Sequence, residues 1–327
     1  MPPAVPPMQG PLFPAVDPVP PRLSGVADDE EIAWLDGSFV PRRSLCLPVG
    51  DAGFVLGATV TEQLRTFGGR LFLPAAHEER LRGSLAVVGI EPGRPLEEVF
   101  RAAAAVSARN HLAAGGDLGL VIFVTPGDQP SQHRGRPGAP RVCLHTFPLA
   151  FAMWADAYET GVPLRSVSVR QVPSACWPMH AKVRSRLHYF LADREAQAVE
   201  RGARAILCHE DGRVSETSTA NIAVVRQGVI DTPPPADALS GVSMQYLRGL
   251  AESLGIGWRE RSLTTSDLAA ADEILLTSTP NCVLPATRFD GRPVGTGRPG
   301  PVQSALLDAW SRSVGVDIAL QARNSAR

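Results

Sequence analysis

The stretch "CWPMHAKVRSRLHYF", residues 176–190, contains Lys182, and no other lysine occurs in the 327-residue chain. Lysine and arginine together number 32, so the remaining 31 basic residues are arginine. A guanidinium stays charged in a protein, whereas an ε-amine can lose its proton. A single amine kept where every other basic position carries arginine is a candidate for chemistry that needs a neutral primary amine. Two such tasks are proton abstraction and Schiff-base formation with a carbonyl. Both require the amine pKa to fall from about 10.4. Burial and nearby cations, here Arg184 and Arg186, act in that direction. The plainer reading is drift, with one lysine left by chance. Against it, Lys182 follows a proline-interrupted loop and precedes a helix, on no obviously solvated face.

The rest of the composition narrows the options. Hydrophobic residues make up 44% of the chain and charged residues 20%, enough apolar material for a large core, divided here between two expected domains. The formal net charge is −1 and no basic block is present, so no nucleic-acid partner is expected. Apolar runs are too short for a membrane span, so no membrane partner is expected either. Five scattered cysteines form no CxxC pair, and the histidines show no ligand spacing. Neither a disulfide framework nor a metal site is expected, and the default location is cytoplasmic.

Local patterns give the coarse order. Residues 1–28 are proline-dense and are expected to form a disordered or surface-draped extension. "EIAWLDGSFV" alternates around an Asp-Gly turn and predicts a hairpin. "LPAAHEERLRGSLAVVGI" and "PLEEVFRAAAAVSARNHLA" predict helices, and "LGLVIFV" and "RVCLHTF" predict strands. "TPGDQPSQHRGRPGAP" (125–140) predicts a long loop of the kind that covers a site. A small α/β domain is expected over 29–147, a linker over 148–160 and a large domain over 161–327. In the latter, "LRSVSVRQV", "ARAILCHEDGRVSE", "NIAVVRQGVIDTPP" and "ADEILLTST" predict strands. "RLHYFLADREAQAVERG" and "GVSMQYLRGLAESLG" predict helices, and one last helix is expected from Pro301. Hairpins mixed with helices argue for α+β with a mixed sheet. There is no GxxxxGK[ST] loop and no GxSxG elbow. A Schiff-base enzyme with a carbonyl cofactor remains.

Five motifs in order carry a resemblance. "DAGFVLGATVTEQLRTFGGRLFLPAAHEERL", "AKVRSRL", "EDGRVSETSTANIAVV", "SGVS" and "ADEILLTST" resemble the fold-type IV (class IV) pyridoxal-phosphate aminotransferases, over about residues 32–315. That group includes branched-chain and D-amino-acid aminotransferases and aminodeoxychorismate lyases. The resemblance implies the two-domain D-amino-acid aminotransferase-like α+β fold, pyridoxal 5′-phosphate as cofactor and a homodimer. It implies ping-pong transfer from an amino acid or other amine to a 2-oxo acid. A lyase on the same fold, or a catalytically silent cofactor-binding relative, are the alternatives.

The residue roles it implies make chemical sense. Lys182 would hold the cofactor as a Schiff base and then shuttle the substrate Cα proton. Glu216 would keep the pyridine nitrogen protonated. Arg80 would pair with the phosphate by its fork of donors. Val242 and Ser243, opening a helix, would give N–H groups to the same phosphate, and Ser278 and Thr279 would complete the cup. Asn221 would support the turn around Glu216, and Arg186 would stand near the cofactor oxygen. Departures concern the substrate. Thr61 stands where an aromatic residue often lines the pocket. Gly119 stands where branched-chain enzymes have a carboxylate-binding arginine. In the loop, Ser131 replaces the arginine of a D-amino-acid carboxylate trap, His133 is retained, and Arg134 or Arg136 could supply the charge. Leu187 stands where the branched-chain pattern has a tyrosine.

Overall fold

The computed structural model describes residues 11–14, 20–21, 23–27 and 29–326. The chain forms two compact units: a smaller one of residues 10–149 with Ala181–Ser185, and a larger one of Ala150–His180 with Arg186–Arg327. The five residues around Lys182, expected in the second domain, make their contacts with the first unit.

In the smaller unit the strands are β1 (Ile32–Leu35), β2 (Ser38–Pro41), β3 (Val60–Phe67), β4 (Arg70–Leu71), β5 (Leu118–Thr125) and β6 (Arg141–Pro148), in the order β2-β1-β6-β5-β3-β4. Every pairing in this sheet is antiparallel. The helices are a short α1 (Ala52–Val55), then α2 (Pro74–Val88) and α3 (Leu96–Ala114). Alternation along the strands sends Val60, Leu64, Leu120, Ile122, Val124, Val142 and Leu144 into one core with Leu81, Leu85, Val99 and Val106 of the two long helices. Leu23 and Val26 of the proline-rich segment pack on the same core. The Leu12 carbonyl accepts from the Leu73 N–H, and the Pro14 carbonyl accepts from Arg70. These stretches of the extension are therefore held against the unit by hydrogen bonds, not detached from it; residues 1–10, 15–19, 22 and 28 of that expectation lie outside the described residues.

In the larger unit α4 (Ala157–Thr160) precedes β7 (Val162–Arg170), α5 (Leu187–Val199), β8 (Arg204–Cys208) and β9 (Val214–Thr217). Then come β10 (Asn221–Arg226), β11 (Val229–Thr232), α6 (Val242–Ser253), β12 (Gly257–Glu260), α7 (Thr265–Ala269) and β13 (Glu273–Ser278). β14 (Cys282–Phe289), β15 (Arg292–Pro293), α8 (Pro301–Val314) and α9 (Ile318–Ser325) end the chain. The sheet runs β12-β11-β10-β13-β14-β7-β8-β9, with β15 beside β14. It is mixed: β11/β12, β14/β7 and β7/β8 are parallel and the other pairs antiparallel. The tail is two helices where one was expected, because Gly315 takes a left-handed conformation (φ 70°) after α8. Among the described residues no helix is long and apolar enough to cross a membrane.

One buried amide ties the smaller unit together. Asn110 of α3 accepts from the Ile32 N–H (2.8 Å) and donates to the Ile32 carbonyl and the Thr146 hydroxyl (both 2.7 Å). Asn110→Leu leaves these backbone and hydroxyl groups unpaired in the core. It is expected to destabilise the protein by about 2–4 kcal/mol, read from urea unfolding followed by circular dichroism.

Candidate active site

Each unit carries its own group of candidate residues. In the smaller unit, Val183 forms an antiparallel bridge with Val60 at the start of β3. The Thr61 N–H donates to the Lys182 carbonyl (3.0 Å) and the Arg184 N–H to the Thr59 carbonyl (2.9 Å). The Lys182 N–H donates to the Ser84 hydroxyl of α2 at 3.0 Å. The main chain carrying the lone amine is thus fixed on both sides.

Beneath this segment lies a buried ionic group. Glu62 of β3 receives Nε of Arg80 on Oε1 (2.8 Å) and Nη2 on Oε2 (2.7 Å). His77 Nδ1 donates to Oε2 at 2.7 Å. Burial raises the Glu62 pKa, but the Arg80 charge and the bonds from Arg80 and His77 outweigh it and hold the carboxyl at about 2. His77 is pushed below its ordinary value, first by burial and then by the Arg80 and Lys182 charges, against the Glu62 contact. Arg80, expected on the cofactor phosphate, is therefore forked onto Glu62 in this structure, which orients its guanidinium from behind. Neither Glu62 nor His77 was singled out by the sequence. The spacing His77-x-x-Arg80-x-x-x-Ser84 along one helix face was the available signal.

The outward face of the same sheet shows what the substitutions at 61 and 119 mean. Thr61 is paired with Phe123 across β3/β5, and Gly119 with Phe147 across β5/β6. An added Cβ at Gly119 would stand 2.2 Å from the Phe147 ring, so an arginine there requires that ring to move. Phe123 places an aromatic ring directly opposite Thr61, a residue that the sequence reading did not identify. His133, Arg134 and Arg136 all lie exposed on the loop between β5 and β6. The base of that loop is held by the Thr125 hydroxyl donating to buried Asp51 (2.9 Å) and by the Gly138 N–H donating to the Asp128 carbonyl.

In the larger unit, Glu216 of β9 is held at both oxygens. The Tyr189 hydroxyl donates to Oε1 (2.7 Å) and Asn221 Nδ2 to Oε2 (3.0 Å). Asn221 Nδ2 also donates to the Leu239 carbonyl at 2.8 Å. Burial, followed by the Glu216 charge, pushes the Tyr189 phenol well above 10, so it serves as a donor. Gln171 approaches Tyr189 from the other side (3.2 Å). Tyr189 was missed from the sequence, and the expected tyrosine position is Leu187, which is 70% exposed. Arg186 donates to the Ser218 carbonyl and stacks over the Tyr189 ring at 4.6 Å.

The same end of the sheet carries an anion-binding geometry. Asn221 pairs with Thr277, the neighbour of Ser278, across β10/β13. A Cβ on Gly241 would stand 1.9 Å from the Asn221 Oδ1, so this glycine permits the amide to reach the start of α6. Gly241 caps α6 with no side-chain bond, and Val242 and Ser243 open the helix. Such an end has N–H groups and a dipole suited to phosphate. Ser278 Oγ donates to Asn281 Oδ1 at 2.9 Å, and Thr279 follows at the strand end. A protonated pyridine nitrogen for Glu216 and a phosphate for α6 fit this set of groups.

The sequence pattern of the amino-transferase class IV family matches residues 59–289. The chain belongs to the class IV aminotransferase family. It is a pyridoxal-phosphate-dependent aminotransferase. It is 28% identical to the D-alanine aminotransferase of Bacillus licheniformis over 284 residues, covering 85% of this chain and 95% of that one. The branched-chain amino acid aminotransferase of Escherichia coli has a similar structure, with TM-score 0.80 and 26% identity over 86% of this chain and 93% of that one. The T.th. branched-chain amino acid aminotransferase, solved with pyridoxamine 5′-phosphate, gives TM-score 0.77 at 26% identity over 88% of this chain and 95% of that one.

The Glu62 group makes stability acid-sensitive. Both folded pKa values lie below the unfolded ones, so stability is full at neutral pH and falls as pH drops. The loss begins below about 6.5, where an unfolded histidine takes a proton. It continues from about 4.5 towards 2 as Glu62 protonates, totalling roughly 3 kcal/mol for that carboxyl. Melting temperatures from pH 7 to 3 are expected to fall, and the part between pH 6.5 and 5 is expected to shrink in His77→Gln.

Proposed function

We propose that this aminotransferase moves an amino group from an amino acid to a 2-oxo acid through a Schiff base on Lys182. The observation that carries the reading is the fixing of Glu216 by Tyr189 and Asn221, with Asn221 also seated against the uncapped start of α6. When bound, pyridoxal phosphate supplies an aldehyde for the amine and a ring that withdraws electrons from the substrate Cα. Glu216 holds a proton on the pyridine nitrogen, and Tyr189 and Asn221 keep its two oxygens in place. Val242 and Ser243, with Ser278 and Thr279, bind the phosphate, and Arg80 adds its charge, aimed by Glu62. Freed when the substrate amine displaces it, Lys182 Nζ would take the proton from the substrate Cα and hold it for return. Arg186 braces the Ser218 turn beside Tyr189. His133, Arg134, Arg136 and Thr61 border the substrate.

Relatives named for D-alanine and for branched-chain amino acids support donors of either hand, so the donor panel includes both enantiomers. The Arg186-Leu187 pair, closer to the lyase pattern, favours elimination of pyruvate from aminodeoxychorismate as the second reading. We place the enzyme in the cytoplasm as a homodimer. Exposed Val49, Phe54 and Leu56 in the smaller unit, and Leu187 and Phe190 in the larger, supply apolar surface for a partner copy. Size-exclusion chromatography with light scattering is expected to give twice the 34.8 kDa chain mass.

Purified protein is expected to show a visible cofactor band that Lys182→Ala abolishes. A band that survives in this variant overturns the assignment. Glu216→Gln is expected to lower kcat by at least about 100-fold and Tyr189→Phe by about 10-fold, as lost stabilisation of charge at the ring. With an amine donor alone, spectral conversion to the pyridoxamine form supports transfer, whereas pyruvate release from aminodeoxychorismate without conversion supports the lyase.

A further inference from the structure

Where substrate-carboxylate arginines were expected, at 119 and 131, the chain has glycine and serine, and position 119 is closed by Phe147. Two other guanidinium groups come into question on the outward face of the smaller unit's sheet. Arg65, paired with Gly119, is only 1% exposed, and its guanidinium lies 3.9 Å from the Phe67 ring centre. Arg184 is exposed, and its guanidinium lies 4.4 Å from the centre of the Phe123 ring, the ring opposite Thr61. It is two residues beyond Lys182.

We infer that Arg184 is the residue that receives the α-carboxylate of the amino-acid substrate, from its seat on Phe123 beside the Lys182 bridge. The inference rests on the reading of Lys182 as the amine that holds the cofactor. In an extended bridge, alternate side chains leave on the same side. Val183 meets Val60, whose side chain enters the core, so Lys182 and Arg184 flank it on the opposite, outward side. The backbone bond from Arg184 to Thr59 fixes the root of the side chain. Seated over Phe123, the guanidinium is a planar fork of donors whose shape matches a carboxylate. Two residues apart in an extended stretch, Lys182 and Arg184 are about 7 Å apart at the backbone, and their long side chains can converge on one substrate.

The surroundings favour an anion as well. His145, whose ring centre lies 5.8 Å from that of Phe123, has its pKa pushed down by burial and then by the Arg42 and Arg184 charges, against its bond to the Thr146 carbonyl. The face therefore presents cations beside a neutral imidazole. The substrate class this selects is α-amino and 2-oxo acids over simple amines.

The test compares alanine with ethylamine and leucine with 3-methylbutylamine, each pair differing only in the carboxylate. For Arg184→Leu and Arg184→Gln, the kcat/KM ratio of acid over amine is expected to fall about 10- to 100-fold, chiefly through KM. Arg184→Lys is expected to recover part of it. Binding of isocaproate, a carboxylate without an amine, is expected to weaken by a similar factor in protein-fluorescence titrations. An unchanged ratio and unchanged isocaproate affinity in both Leu and Gln variants overturns the assignment, as does a native enzyme that does not prefer the acids. Failure of the Lys182 reading is separate: it appears as a cofactor band that survives in Lys182→Ala.

Discussion

The antiparallel bridge between Val183 and Val60 is the constraint on which the smaller unit's chemistry depends. Residues before and after 181–185 belong to the larger unit, yet these five residues are pinned to the β3 edge by two backbone bonds and to α2 by the Lys182 N–H donating to Ser84. A lysine on an unanchored loop would lose its position to conformational freedom, and fixing even a few residues costs about 1–2 kcal/mol each. The bridge spends that entropy during folding, so the amine is positioned before substrate arrives.

A second principle runs through both units: the candidate site's polar groups are held by other polar groups. Arg80 is aimed by Glu62, which is itself bonded by His77. Glu216 is aimed by Tyr189 and Asn221, and Tyr189 is approached by Gln171. A buried charge without such partners would be neutralised or expelled. The interior therefore selects groups that satisfy one another, and the same bonds fix their orientation.

Much of the fold was legible because it is written in local patterns. The Asp36-Gly37 hairpin, both long helices of the smaller unit and the strand "ADEILLTST" follow from turn residues and periodicity. β3 was hidden because "VTEQLRTF" carries Thr61, Glu62 and Arg65, polar residues that are nonetheless buried. β14 was hidden by Pro285 inside a strand paired on both sides. The single tail helix became two because a lone glycine is tolerated within many helices and ends only some.

The sequence alone determined the chemistry's endpoints: one amine in a field of guanidinium groups, a carboxylate after an Asp-Gly turn, and a glycine opening a helix. Those are choices of residue type, and residue type fixes what can lose a proton or bind an anion. Tertiary structure decided which groups stand behind them and that Arg184 is seated over the Phe123 ring. Phe123 meets Thr61 and Phe147 closes Gly119 only through strand register, across separations of 62 and 28 residues. Register is set by the packing of whole sheets, so no local pattern could reveal which aromatic rings stand opposite Thr61 and Gly119.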